Sequence, residues 1–142
     1  MLTPSVQVPP FWHGLPAHSS MLVPQVGPLK PGAHVNAVGA CFRAMRELDT
    51  ATVAESAFFV DRRESCENEA GDYLIPLQEG AISAGHIRAE LGEVLLGRQP
   101  GRRSPQELTV FKSLGLAVED LFAAEYVLRR AEETGVGTRV EF

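Results

Sequence analysis

The chain has 142 residues, enough for one domain with a buried core, and its 44% hydrophobic and 22% charged residues are typical of a globular protein. A formal net charge of −5 argues against a broad phosphate-binding surface, so no nucleic-acid partner is expected. No apolar run approaches the roughly twenty residues of a membrane helix, and no signal-peptide pattern opens the chain. We therefore predict a cytoplasmic protein without a membrane partner.

Residues 1–28 are predicted to be irregular, because they contain most of the prolines and each proline removes a backbone donor and fixes one dihedral angle. The first regular element follows this segment. His34–Val38, closed by Gly39, is short and rich in residues that favour strands, which predicts a buried strand. We expect the end of this strand to face a ligand.

The middle of the chain predicts a strand, helix, strand order. Asp49 or Thr50 can cap a short helix through its side-chain oxygen, and Ala57–Val60 is predicted to be a second buried strand. The polar segment Arg62–Ala70 is predicted to be helical and to end at a turn over Gly71-Asp72.

The last third of the chain predicts two helices and two strands. A helix is expected over Ala89–Leu96, stopped by Gly97. The capping-box spacing of Ser104–Glu107 predicts a single turn before a strand at Leu108–Phe111. A long helix and a short strand at Thr138–Phe142 complete the chain, the helix being predicted from apolar residues at helical spacing: Leu114, Ala117, Val118, Leu121, Ala124 and Leu128.

Several motifs are given a structural interpretation. Gly135-Val-Gly137 is the nearest imitation of a phosphate-binding loop, but it follows a helix and is predicted to be a helix stop. Ala81–Gly85 lacks the first glycine of a serine-hydrolase elbow. The acids Glu90 and Glu93 share a helix side through their spacing, which favours a surface or interface role over an acid/base pair.

Other polar residues are likewise assigned no chemistry. The four histidines lack the spacing of metal ligands, so no metal site is predicted. Cys41 and Cys66 are predicted to be reduced thiols. Arg98, Arg102 and Arg103 lie in a loop rich in Gly and Pro, where solvated charge is the favoured interpretation.

Two blocks, Lys30–Gly39 and Glu107–Asp120, carry a family resemblance. With Arg46–Asp49, Val60-Asp61 and Ala89–Val94 between them, they resemble the C-terminal part of the ornithine cyclodeaminase / mu-crystallin family of NAD(P)-dependent enzymes and relatives. The resemblance implies an α/β fold, a partial Rossmann-like NAD(P)-binding domain whose C-terminal helix and strand return toward a dimerisation domain. It divides the chain into an irregular Pro-rich segment (1–28), the second half of the Rossmann-like domain (29–113) and the helix and strand of the dimerisation region (114–142).

The resemblance also implies a site. His18-Ser19-Ser20 resembles a degenerate form of a family stretch near the cofactor, and Ser113 would lie beside the nicotinamide ring of NAD or NADP. Leu114 and Cys41 would face the substrate. The segment expected to run along the nicotinamide end consists of Val35, Asn36, Ala37, Val38 and Gly39. No catalytic residue is assigned.

Two departures distinguish branches of the family. Cyclodeaminases carry a catalytic aspartate where this chain has Cys41, and usually an aspartate where it has Lys112. The resemblance is therefore greater to the ketimine reductases and mu-crystallins, which reduce cyclic imino acids with NAD(P)H. Ornithine cyclodeaminase remains an alternative.

Family members are longer and begin with a half that carries the phosphate loop and the Arg and Lys that bind the substrate carboxylate. We therefore expect a truncated member of the family, acting on a small imino or amino acid in a longer version or with a complementing partner. Self-association would cover the apolar face of the long helix, which makes a homo-oligomer the expected state. The alternatives are a non-catalytic binding or oligomerisation module and an unrelated small α/β domain matched by chance.

Overall fold

The structure is a computed structural model that describes residues 29–140. The predictions for residues 1–28, including the His18–Ser20 stretch, and for the last two residues lie outside this range. The elements in chain order are β1 His34–Ala37, α1 Thr50–Glu55, β2 Ala57–Val60, α2 Arg63–Glu69, α3 Gly71–Gln78, β3 Ile87–Glu90, α4 Leu91–Leu95, β4 Thr109–Lys112 and α5 Ala117–Thr134.

The four strands form one parallel sheet in the order β1-β4-β2-β3. The predicted strands β1, β2 and β4 are confirmed, but β1 and β2 are not neighbours, because β4 returns from the far end of the chain and lies between them. Parallel strands need long crossover connections, and helices or loops supply them here. This architecture confirms the predicted α/β, partial Rossmann-like fold.

The main core lies on one face of the sheet. Side chains alternate across a strand, so β1 directs Val35 and Ala37 into this core and turns His34 and Asn36 to the other face. Helices α1, α2 and α3 contribute the opposing core residues, among them Val53, Cys66 and Tyr73. A smaller apolar cluster occupies the second face: Ala57, Phe59 and Ala89, with Val94 and Phe111 packed against them.

Helix α1 begins as the sequence predicts. Of the two candidate caps, Asp49 is the one that acts, because its Oδ1 accepts a 2.7 Å hydrogen bond from the Thr52 amide. This bond satisfies one of the free donors of the first turn. The helix ends at its cap Ser56, and β2 begins at the next residue, so the chain passes directly from α1 into a central strand of the sheet.

The turn predicted at Gly71-Asp72 is wrong, because Gly71 begins α3, which only Ala70 separates from α2. A tertiary contact overrides the local turn signal. Asp72 is fully buried, and its Oδ1 accepts hydrogen bonds from the amides of Glu47 (2.7 Å) and Leu48 (2.9 Å). The chain passes so close to this junction that a Cβ on Gly71 would lie 2.0 Å from the carbonyl oxygen of Met45.

The helix predicted over Ala89–Leu96 is also wrong at its start. Ile87–Glu90 is a strand paired with β2, and α4 covers only Leu91–Leu95 before Gly97 ends it with a φ of 68°. Burial of Ile87 and Ala89 against the sheet decides in favour of the strand. Glu90 and Glu93 form a reciprocal capping box at the start of α4, which gives both acids a structural role.

The long helix is confirmed as α5, but it begins at Ala117, so Leu114, which the prediction included, lies in the loop before it. Gly135 ends α5 in the left-handed region with a φ of 68°. No residue of α5 is buried, although Leu121, Phe122, Tyr126, Val127 and Leu128 are all large and apolar. Within the described residues Thr138–Val140 form no strand, contrary to the prediction, and they have no neighbouring strand to pair with. No helix between residues 29 and 140 combines the length and apolar character needed to cross a membrane.

Candidate functional site

Three strands of the sheet end at the same level. Lys112, the last residue of β4, is in register with Ala37 of β1 on one side and with Val60 of β2 on the other. The residues that follow these strands therefore meet at one edge, which we call the carboxyl edge: Val38-Gly39, Ser113–Gly115 and Asp61. Open parallel sheets bind ligands beyond the carboxyl ends of their strands, so this edge is the candidate site.

Asp61 holds the loop that follows β4. Its side chain accepts four hydrogen bonds, three of them at Oδ2: from the Ser113 hydroxyl (3.0 Å), the Leu114 amide (2.7 Å) and the Gly115 amide (2.8 Å). Oδ1 accepts the fourth from the Arg62 amide at 2.7 Å. The sequence placed Asp61 only within the family resemblance, and its position directly after an apolar strand is the signal for this role.

Lys112 connects the other side of the edge. Its side chain is fully buried, with Nζ 2.9 Å from Asp72 Oδ2 and 3.2 Å from Glu47 Oε2. The first contact has the distance of an ion pair but not the angles of a hydrogen bond, since Asp72 Oδ2 has no hydrogen-bond partner among the described residues. Glu47 Oε2 in turn accepts from the Gly39 amide at 2.8 Å, so Lys112 reaches the loop after β1 through Glu47.

The residues predicted to contact the nicotinamide point in different directions. The side chains of Val35 and Ala37 are buried in the core, so only their backbone can meet a ligand. Asn36 lies on the second face of the sheet, where its Oδ1 is 3.2 Å from His34 Nε2. Val38 and Gly39 are exposed at the edge, Val38 to 65%.

The predicted residues of the loop after β4 lie beside them. The Ser113 hydroxyl donates to Asp61 and accepts from the Gly115 amide at 3.1 Å, and the Ser113 amide binds the Ala37 carbonyl at 3.1 Å. Leu114 is partly buried against the main core. Cys41, predicted to face the substrate, is half-buried with a free thiol in the loop between β1 and α1.

A groove of about 550 Å³ opens on the second face of the sheet. Phe59, Phe111 and Val94 line its apolar part, and His34, whose Nδ1 is 2.7 Å from Thr109 Oγ1, lines its polar part. Arg102 is exposed, as predicted, but its guanidinium donates to the carbonyls of Gly32, Ala33 and Glu107 and to the Thr109 hydroxyl. Arg102 therefore anchors the loop before β4 and is not free to bind an anion.

No cluster of three or more His, Cys, Asp or Glu side chains within residues 29–140 could hold a metal ion. A parallel sheet with helices in its connections and polar groups gathered at its carboxyl edge has the architecture of a partial Rossmann-like domain. Among such domains the relationship is specific. The model of the ornithine cyclodeaminase/mu-crystallin family matches residues 23–135, and the chain belongs to this family.

Two curated relatives show which members the chain is similar to. It is 45% identical over 115 residues to the Delta(1)-pyrroline-2-carboxylate reductase of Bacillus cereus, an alignment that covers 80% of the chain and 35% of the relative. It is 48% identical over 99 residues to the mouse ketimine reductase mu-crystallin, covering 70% of the chain and 29% of the relative. The chain thus spans about a third of the length of the curated relatives it matches.

Solved structures agree with this placement. The Delta(1)-pyrroline-2-carboxylate reductase of Thermococcus litoralis, in complex with NADH and L-proline, superposes with a TM-score of 0.71 at 47% identity, covering 79% of this chain and 35% of that one. An archaeal alanine dehydrogenase dimer with bound NAD superposes with a TM-score of 0.67 at 32% identity, covering 80% and 35%.

Proposed function

We propose that residues 29–113 form the nicotinamide-binding half of a Rossmann-like domain in an NAD(P)H-dependent reductase of cyclic imino acids. The observation that carries this proposal is the carboxyl edge, where the ends of β1, β4 and β2 are level, in a chain 45% identical to a Delta(1)-pyrroline-2-carboxylate reductase. We propose a five-membered cyclic imino acid as the substrate and either NADH or NADPH as the cofactor.

The described residues fit the nicotinamide end of the cofactor. Val38 and Gly39 leave the loop after β1 open to a flat ring, and the Ser113 hydroxyl lies beside this loop because the Ser113 amide binds the Ala37 carbonyl. Between residues 29 and 140, no strand is followed by the glycine-rich turn and helix that cradle a pyrophosphate. We therefore assign only the nicotinamide end to these residues.

The cofactor, when bound, supplies a hydride to the carbon of the C=N bond, and the imine nitrogen takes up a proton. The chain's own residues orient the ring and exclude water from one side of it, a part that suits the apolar side chain of Val38. We do not assign proton delivery to Lys112, because its Nζ is fully buried and lies against two carboxylates.

A calorimetric titration of the chain with NADPH and then NADH tests this proposal. We expect saturable binding in the micromolar range. Cofactor oxidation on addition of Delta(1)-pyrroline-2-carboxylate is expected from a longer version of the chain or from the chain with a complementing partner. An exposed control, Glu133→Gln on α5, should bind the cofactor as the parent chain does. An absence of binding at millimolar cofactor would contradict the proposal for this chain.

Ornithine cyclodeaminase activity is the less favoured alternative. The relatives reported above with 45% and 48% identity are a reductase and a ketimine reductase, whereas a probable ornithine cyclodeaminase of known structure, from Bordetella pertussis, is 32% identical with a TM-score of 0.65. Cys41 stands where the family resemblance places the cyclodeaminase aspartate. Release of ammonia from L-ornithine by a chain that does not reduce the cyclic imine would reverse this preference.

A non-catalytic oligomerisation module is the second candidate, and α5 is the observation that favours it. Every residue of this 18-residue helix is at least partly exposed, including Leu121, Phe122 and Val127. We propose that residues 114–142 mediate self-association, a state that the dimeric archaeal neighbour supports by analogy. Oligomerisation without any cofactor binding would select this candidate.

A further inference from the structure

The hydrogen-bond donors at the carboxyl edge already have acceptors within the protein. At the β1 side, the Gly39 amide donates to Glu47 Oε2 at 2.8 Å. At the β4 side, the Ser113 hydroxyl and the amides of Leu114 and Gly115 all donate to Asp61 Oδ2 at 3.0 Å or less. These four groups are the ones that an edge of this kind would otherwise offer to a carboxylate or phosphate.

The charges around the edge also disfavour an anion. Lys112 is the cation that contacts Glu47. Its Nζ lies against both Asp72 and Glu47, so its charge is already balanced. Asp61 adds a third carboxylate, which is only 8% exposed and forms no ion pair among the described residues. Two carboxylates thus face one ammonium group, and Asp61 adds a negative charge at the neighbouring loop. The excess negative charge opposes a second anion.

The Ser113 hydroxyl keeps an acceptor available at the edge. The Ser113 oxygen has two lone pairs, of which the Gly115 amide occupies one at 3.1 Å, while its proton is directed to Asp61. Asp61 thereby fixes the polarity of Ser113, because a hydroxyl that already donates can only accept from a ligand. A primary amide is the complementary group, since its NH₂ donates and carries no charge.

We infer that the carboxyl edge is a specificity determinant that accepts hydrogen bonds from the carboxamide of the nicotinamide ring and rejects a carboxylate at that place. Asp61 and Glu47 are the positioning residues that create this selectivity, and Ser113 is the acceptor. The inference rests on the proposed function, because it presupposes that the nicotinamide end of a dinucleotide lies at this edge.

Titration with two dinucleotides tests the inference. Nicotinic acid adenine dinucleotide differs from NAD⁺ by a carboxylate in place of the carboxamide. We expect the chain to bind NAD⁺ at least about tenfold more tightly, a difference of about 1.4 kcal/mol. Equal affinity for the two would overturn the inference while leaving the proposed function in place. Binding of neither would overturn the proposed function, and the inference with it.

Variants of Glu47 separate selectivity from general stability. Glu47→Ala frees the Gly39 amide and leaves Lys112 with Asp72 alone, so it should bind the carboxylate analogue about tenfold more tightly than the parent chain. Glu47→Gln keeps an acceptor for Gly39 but removes a charge, and it should fall between the two. A merely structural role for Glu47 predicts weaker binding of both dinucleotides, which would contradict the inference.

Amide hydrogen exchange gives a readout that needs no ligand. In the parent chain the amides of Gly39, Leu114 and Gly115 should be protected, because each donates to a carboxylate. In Glu47→Ala the Gly39 amide alone should lose its protection. Exchange of all three at the rate of exposed amides in the parent chain would overturn the inference, whatever the titrations show.

Discussion

At the scale of single residues, the buried pair of Lys112 and Asp72 has the largest energetic consequences. Both side chains are fully buried, and the two charges are 2.9 Å apart. Each compensates the other for the loss of hydration, and Asp72 also binds the amides of Glu47 and Leu48. Removing one partner therefore leaves an uncompensated charge in the core.

We predict that Lys112→Met lowers the free energy of unfolding by about 3–5 kcal/mol, because Asp72 loses its counter-charge. The double variant Lys112→Met/Asp72→Asn should recover more than half of that loss, since the asparagine oxygen can still accept from the two amides. Urea unfolding followed by circular dichroism measures both. Equal destabilisation in the single and double variants would show that the ion pair is not the cause.

The two cysteines should differ in reactivity. Burial raises the pKa of the Cys66 thiol from 9.0 to about 12, whereas Cys41 is half-buried with a free thiol. Because the native state keeps the Cys66 proton and the unfolded state loses it above about pH 9, this thiol stabilises the fold below pH 9. The contribution is lost progressively as the pH rises toward about 12.

We predict that a thiol reagent such as DTNB modifies one thiol in the native chain at pH 8 and the second only after unfolding. In Cys41→Ser no thiol should react until urea is added. Rapid modification of the native Cys41→Ser variant would show that Cys66 is accessible, and would contradict the burial that raises its pKa.

At the scale of elements, the junction of α2 and α3 depends on one glycine. A Cβ at Gly71 would lie 2.0 Å from the carbonyl oxygen of Met45 and 2.8 Å from that of Arg43, both of them backbone atoms that cannot rotate away. Gly92, inside α4, has open space around the same position. The two helical glycines therefore provide a matched comparison.

Gly71→Ala should destabilise the chain by about 1–3 kcal/mol or more, because the loop that carries Met45 has to move. Gly92→Ala should be neutral or stabilising by up to about 1 kcal/mol, because alanine is the better helix former and meets no atom. Thermal unfolding of both variants gives the measurement. Similar effects of the two substitutions would count against the close approach at Gly71.

At the scale of the whole molecule, the sheet is covered unequally. Helices α1, α2 and α3 pack on the main core, while α4 flanks the groove on the second face. Helix α5 has no buried residue and presents Leu121 and Leu128 on the same side. A helix with this many exposed apolar side chains favours association with another copy of the chain.

We predict that the chain self-associates and that Leu121→Glu/Leu128→Glu raises its dissociation constant at least about tenfold, about 1.4 kcal/mol, since two apolar contacts are replaced by charges. Leucine and glutamate have similar helix propensities, so the helix content should not change. Glu125→Gln, which alters one polar side chain of α5, is the control. A parent chain that remains monomeric across the concentration range in analytical ultracentrifugation would contradict the prediction.

Local patterns alone determined much of this protein. The strand patterns of β1, β2 and β4, the cap of α1 at one of its two predicted positions and the terminal Gly135 all act over a few residues, and all are found where the sequence predicts them. The family resemblance carried by the two motif blocks is confirmed as well. These features could be predicted because neighbouring residues are sufficient to specify them.

Only the tertiary structure decided the rest. The position of β4 between β1 and β2, the helical start at Gly71, and the strand that precedes α4 depend on contacts between distant parts of the chain. The same holds for the carboxyl edge, where Asp61 binds a loop more than fifty residues away and Lys112 lies between two acids from earlier segments. Burial and hydrogen bonding across such separations leave no periodic signal in the sequence. The position of Asp61 after an apolar strand marks it as a candidate, but the sequence does not show which distant groups it binds.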